Sequence, residues 1–259
     1  MDIIVCIKQV PSTNEVRLDP VTGTIIRDGR NSVINPFDSY AIEEAVRLKE
    51  KLGGKVTAQS MGIPATERLL RDAMARGVDS AVLLTDRAFA GADTLATSYA
   101  LSLGARRIGD FDLIICGRMA VDGDTAQIGP ELSRQLDVNF ASDVCEIISA
   151  DEKKIVCKKL MDGGVATIEL YLPAVITVTK DINMPRMASI AGVRFSLTAP
   201  FESLTADDLG ADKSRCGLNG SPTRVLRSFA PDRSHEAVRI GGSPVDAAKE
   251  AVRIAKEAL

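Results

Sequence analysis

Short apolar runs alternate with stretches of helical periodicity through the first half of the chain. Residues 2–10 open almost continuously apolar, with Ile3, Ile4, Val5, Cys6 and Ile7 in succession, as in a parallel strand buried on both faces. Two shorter runs, residues 16–18 and 24–27, flank Pro20 and Gly23 and predict a hairpin lying over the end of that strand. Asn35, Pro36 and Asp38 then signal a helix start: Asn35 can cap, proline suits the first turn, and an acid there meets the positive end of the helix dipole. Ile42, Ala45, Val46 and Leu52 form the apolar stripe of that helix, and Gly53-Gly54 stops it. Residues 55–62 predict a second strand, followed past Pro64 by a helix carrying Leu69, Leu70, Ala73 and Met74. Residues 81–85 predict a third, whose loop runs to Asp93 and Thr94, caps for a helix that carries Leu95, Tyr99 and Leu103 towards Gly104.

The next stretch, residues 111–130, organises the rest. Its apolar half ends at Gly117 as a buried strand does, and its second half is small and polar. Leu132 and Leu136, one turn apart, then open another helix. A strand, a loop of small residues and a helix start together suit a phosphate, because the helix N-terminus presents unpaired N–H groups and Gly123 and Ala126 let a ligand approach the backbone. The same loop read alone is also an ordinary strand-to-helix connection. Alternating strands and helices imply right-handed crossovers and a doubly wound parallel sheet, in which ligands sit at the carboxyl ends of the strands. Loops at residues 6–9, 61–64, 86–93 and 117–127 therefore converge there. No GxGxxG follows the first strand, so the common dinucleotide fingerprint is absent.

From residue 140 to 180 the pattern changes to short strands at 144–148, 155–158, 166–171 and 174–178, a partly antiparallel extension of the sheet. Beyond Lys180 periodicity is poor until residues 244–255, where Val245, Ala248, Val252 and Ala255 share one side of an amphipathic helix. The division expected is an α/β domain over residues 1–183, then an arm and helix over 184–259. The arm reads as a surface for a partner subunit or as a flexible tail.

Composition narrows the chemistry. At 259 residues, 45% apolar and 26% charged, the chain can build a full core, and 32 basic against 35 acidic side chains leave no basic excess for nucleic acid. No apolar run approaches the roughly 18–20 residues that cross a bilayer, and five cysteines without a CxxC spacing argue against a metal site and for the reduced cytoplasm. One histidine and no tryptophan make a histidine base or serine triad improbable, so any chemistry falls to a cofactor and no catalytic side chain is expected.

Four separated motifs carry a family resemblance: Val5-Cys6-Ile7-Lys8-Gln9-Val10-Pro11, Asn35-Pro36-Phe37-Asp38, the loop from Gly117 to Pro130, and Leu172-Pro173-Ala174-Val175. In this combination and order the chain resembles the β subunit of electron transfer flavoproteins, and the similarity extends through Lys180–Arg186. The resemblance implies an adenine-nucleotide-hydrolase-like fold and a heterodimer whose α subunit supplies another flavin site. It places cofactor contacts at Cys6, Asn35, Phe37, Asp38 and Met61, and along Gly117, Arg118, Met119, Ala120, Val121, Asp122, Gly123, Asp124, Thr125, Ala126, Gln127 and Gly129. Met119 departs from the glutamine common in the family at that position.

The family has two branches, and the third-strand loop resembles the bifurcating one. There the resemblance adds Phe89, Gly91, Ala92, Asp93, Thr94 and Thr97, with Gly91 and Ala92 leaving room for a flavin ring and Asp93 and Thr94 opening a helix N-terminus for the NADH pyrophosphate. That branch implies FAD in this subunit, oxidation of NADH, and electrons divided between ferredoxin or flavodoxin and, through the α-subunit FAD, an acyl-CoA dehydrogenase-type partner. The simple carrier branch implies a structural AMP instead, with electrons passing between a dehydrogenase and a quinone reductase. Pro185, Arg186, Met187, Ala188, Ser189 and Ile190 match the family's docking loop, with Ile190 as its apolar anchor. A third reading, a nucleotide-sensing domain of the stress-protein kind, has no need of the extension or the arm.

Overall fold

The computed structural model describes residues 1–12, 32–226 and 239–257. The hairpin expected at residues 16–27 lies outside them. Met1–Leu226 form one compact unit and Arg227–Leu259 a second.

The first unit is built on a nine-stranded sheet, whose strands are β1 (Ile3–Cys6), β4 (Val56–Met61), β5 (Ser80–Leu84), β6 (Leu113–Gly117), β7 (Asn139–Ala150), β8 (Lys154–Met161), β9 (Gly164–Tyr171), β10 (Ala174–Val178) and β11 (Phe201–Leu204). Their order is β11-β5-β4-β1-β6-β10-β7-β8-β9. The seven strands from β11 to β7 run parallel, and β8 and β9 close the far side antiparallel. A separate two-stranded ribbon pairs β2 (Gln9–Pro11) with β3 (Ser32–Ile34). The first apolar run is thus broken after Cys6, and its tail joins the ribbon rather than the sheet.

Alternate residues of each central strand serve opposite faces, which is why the runs read as continuously apolar. Ile3 and Val5 pack with Ile42, Val46, Leu70 and Met74 of α1 (Pro36–Leu52) and α2 (Glu67–Ala75). Ile4 and Cys6 pack with Tyr99, Leu101 and Leu132 of α3 (Thr94–Ile108) and α4 (Ile128–Leu136). The chain winds from β1 outward through β4 and β5, then crosses back to β6 on the other side of β1. That reversal between β1 and β6 is the switch point at which such sheets bind ligands.

Several expectations change. Helix α3 runs through Gly104 to Ile108, because Gly104 sits where a Cβ would strike Gln59 and Leu84 and so marks close packing rather than a helix end. The stretch after Lys180 is less irregular than its pattern suggests. It contains α5 (Ile190–Ser196) and β11, which adds in parallel to the edge of β5. The compact unit therefore passes the boundary expected at residue 183. In the second unit, α6 (Pro244–Glu257) has no buried residue, and Val245 and Val252 are exposed.

Candidate functional site

The carboxyl ends of β1 and β6 lie side by side, with Cys6 in register with Cys116. Asp38, in the first turn of α1, is buried beneath them. Its carboxylate accepts the Lys8 N–H at 2.7 Å, the Asn35 side-chain amide at 2.9 Å and a further backbone bond from Gly117. Burial pushes the Asp38 carboxyl up to about 7 against the opposing pull of those bonds. Gly117 is required there, because a Cβ would overlap Asp38 and the backbone of Phe37.

Asn35 stands at the N-cap position but makes no side-chain capping bond. Its amide reaches the Met119 carbonyl at 2.9 Å, and its carbonyl accepts the Val121 N–H at 3.1 Å. The side chain expected to cap α1 instead fastens the loop after β6. This is a job that residue spacing could not reveal, since its partners lie more than eighty positions away.

The held loop turns at Ala120, whose carbonyl accepts Gly123 and Asp124, and then exposes every residue from Val121 to Gln127. Asp124 and Ala126 have φ of 49° and 53°, a left-handed conformation that costs non-glycine residues energy and recurs at binding loops. The N–H groups of Thr125, Ala126 and Gln127 have no partner among the described residues, and α4 begins without a side-chain cap. These donors and the α4 dipole make the segment receptive to an anion. A Cβ on Gly123 would meet only Lys8 Nζ, at 3.9 Å, so the approach is open. Lys8 crosses the loop to pair with Asp122 at 2.5 Å. Lys8 stands in the first motif but carries no expected cofactor contact, and its position just past a strand end was the signal available.

Other expected contacts have structural duties. Gly129 is buried, and a Cβ there would strike Thr177 and press on Phe140, so its lack of a side chain lets α4 approach the sheet. Phe89 is core. Cys6 is buried and its sulfur accepts the Gln59 amide at 3.3 Å, while the bond to Cys6 and burial push the Cys116 thiol up. Met61 is a half-buried residue packed on the same core. Phe37 is half-buried, and Arg118 pairs with Asp143 at 2.8 Å.

The loop after β5 is fuller than expected. Gly91 has φ 73° and carries Leu218 against it, with Leu218 donating its N–H to the Ala90 carbonyl. The positive φ is what calls for glycine here; Leu218 lies at ordinary contact distance from where a Cβ would stand. Asp93 caps α3 through Ala96, as its position before the helix predicts, and also accepts the Thr223 N–H and hydroxyl, which places a carboxylate at the helix start where the resemblance implies an NADH pyrophosphate. Burial raises the Asp93 carboxyl, but those bonds outweigh it and hold the group below its usual range. Thr94 donates to Glu131 at 2.9 Å, joining α3 to α4, and Ala92 and Thr97 are half-buried beside it.

On the opposite helix face, Arg186 grips α1 through Glu43 and Glu50, and Asn183 bonds Tyr40 and Glu44. Pro185 is half-buried, whereas Met187, Ala188, Ser189 and Ile190 project, Ile190 being 93% exposed. Ser189 caps α5.

Fold and loop together define a doubly wound α/β protein with an anion-receptive loop at its topological switch point. Comparison with known proteins makes this specific. The electron transfer flavoprotein domain matches residues 22–209. The chain is 48% identical over 233 residues to an electron transfer flavoprotein subunit beta of Thermoanaerobacterium thermosaccharolyticum, covering 90% of this chain and 89% of that one. It is 42% identical to the caffeyl-CoA reductase-Etf complex subunit CarD of Acetobacterium woodii (95% and 94% covered), and 43% identical to protein FixA of Bradyrhizobium diazoefficiens (89% and 83%). This chain belongs to the electron transfer flavoprotein family, as a β subunit. An electron-transfer role and an α-subunit partner go with that membership. No described helix is long and apolar enough to cross a membrane.

Proposed function

We propose that the loop from Gly117 to Gln127 holds the adenosine diphosphate portion of FAD, and that the chain with its α subunit oxidises NADH. In this reading electrons are divided between ferredoxin or flavodoxin and, through the α-subunit FAD, an acyl-CoA dehydrogenase-type partner. One observation carries the reading: the exposed, backbone-strained turn whose N–H groups, without a partner among the described residues, lead directly into a helix with no side-chain cap. The donor set suits a phosphate, and Gly123 leaves the approach clear.

Bound flavin supplies the acceptance of a hydride and the release of single electrons. The protein's own share is positional. Asp38 and Asn35 fix the strand ends and the loop, so the N–H groups are aimed before the ligand arrives. No side chain is asked to act as a general acid or base. Pro185 and Arg186 anchor the segment that presents Met187, Ala188, Ser189 and Ile190 to a flavoprotein partner, and the arm with α6 packs on the α subunit. A cytoplasmic setting goes with the free cysteines.

The second reading, a simple carrier with structural AMP in the same loop, is favoured by Leu218 lying against Gly91 and by the capped start of α3. Both narrow the room beyond the phosphates. Anaerobic titration of the purified heterodimer with NADH separates the two. Bleaching of flavin absorbance within the mixing time is expected, and flavin that stays oxidised rules out direct NADH oxidation.

A further inference from the structure

Lys8 is a cation beside the loop whose backbone is fixed before its side chain leaves it. Its N–H is held by Asp38 at 2.7 Å, and its carbonyl accepts the Asn35 N–H at 2.9 Å. From that fixed origin the side chain crosses to Asp122, so that Nζ lies nearest the open side of Gly123. The ammonium is about half exposed and Asp122 is less so. An ion pair of this kind is weak in water and opens at little cost.

The N–H groups of Thr125, Ala126 and Gln127, which have no partner among the described residues, occupy the other end of the turn. The loop therefore offers two distinct anion positions: neutral backbone donors before α4, and a cation over Gly123. A monophosphate satisfies the first alone. A diphosphate can fill the first and also draw Lys8 from Asp122, exchanging a solvated ion pair for a charge-assisted bond to a phosphate oxygen. Lysine suits this duty, since a point charge on a flexible stem can swing between carboxylate and phosphate.

We infer that Lys8 is the specificity-determining residue of the nucleotide site, engaging the second phosphate and so selecting an adenosine diphosphate moiety over a monophosphate, with Asp122 holding its ammonium in place until the ligand arrives. The inference rests on the reading that the loop binds an adenine nucleotide, and it assigns a role to a residue that reading does not use.

The test uses the full 259-residue chain stripped of co-purifying nucleotide, titrated calorimetrically with AMP and with ADP. Wild type is expected to bind ADP about tenfold more tightly than AMP, the scale of one charge-assisted phosphate contact. Lys8→Gln should abolish that preference while leaving AMP affinity close to wild type. Asp122→Asn, which frees the lysine, should keep or enlarge it. Equal affinity of wild type for AMP and ADP overturns the inference, as does a preference that survives Lys8→Gln. If neither nucleotide binds the wild-type chain, the underlying site reading fails instead. Far-ultraviolet circular dichroism of both variants checks that they are folded, and the wild-type AMP-to-ADP ratio needs no variant.

Discussion

At the scale of single residues, Asp38 carries the most distinctive physics. A fully enclosed carboxyl raised from 3.8 to about 7 is favoured in its protonated form by the folded state. Its contribution to stability is therefore fully present below the unfolded value and is lost as pH rises towards 7. Asp38→Asn removes that titration. Denaturant unfolding of both proteins at pH 5 and pH 7.5 should show wild type losing stability relative to the variant across this range, by on the order of a few kcal/mol. Parallel pH slopes for the two proteins would contradict the placement of a buried ionisable group there. The absolute cost of the amide, which turns donors towards the N–H groups of Lys8 and Gly117, is not the readout. Nothing local in the sequence distinguishes this aspartate from an ordinary first-turn acid. Its burial comes from Lys8 and Gly117 closing over it, contacts between segments far apart in the chain.

Elements show where a pattern of apolar positions is informative and where it is not. Helix α1 and the central strands were legible because two-sided burial demands an unbroken apolar run and one-sided burial a helical stripe. Strand β11 was not, because it lies at the sheet edge with Glu202 and Ser203 exposed, and α5 spans only seven residues. The small residues of the loop after β6 suggest a phosphate site, and Gly129, among the contacts the resemblance implies, also serves close packing of α4 on the sheet. Small residues serve close packing as readily as ligand approach, and a sequence does not separate the two. Gly129→Ala should therefore lower stability by about 1–3 kcal/mol through overpacking against Thr177 and Phe140. Thermal unfolding reads this directly, and an unchanged midpoint would refute the close α4–sheet contact. Arg186→Ala should loosen residues 184–190 from α1 without unfolding the sheet. Faster limited proteolysis within that segment is expected, with little change in the melting temperature. Equal cleavage rates would mean that the Glu43 and Glu50 contacts do not hold it.

The whole molecule brings these parts into one arrangement. A right-handed winding that reverses between β1 and β6 brings the Lys8 segment and the Gly117–Gln127 loop to one edge. Helix α1 then links that edge to the segment around Arg186, since Asn35 and Asp38 stand at its start and Glu43 and Glu50 further along it. In the second unit, α6 exposes Val245 and Val252 among charged residues, an amphipathic surface of the sort a partner subunit covers. Family membership gives the chain an α-subunit partner, and the reading under test is that this surface meets it. The central claim is that this chain carries a whole flavin coenzyme of its own. Quantitative nucleotide extraction from the co-purified heterodimer tests it most directly: the account predicts two FAD and no AMP per heterodimer, and one FAD accompanied by one AMP would contradict it.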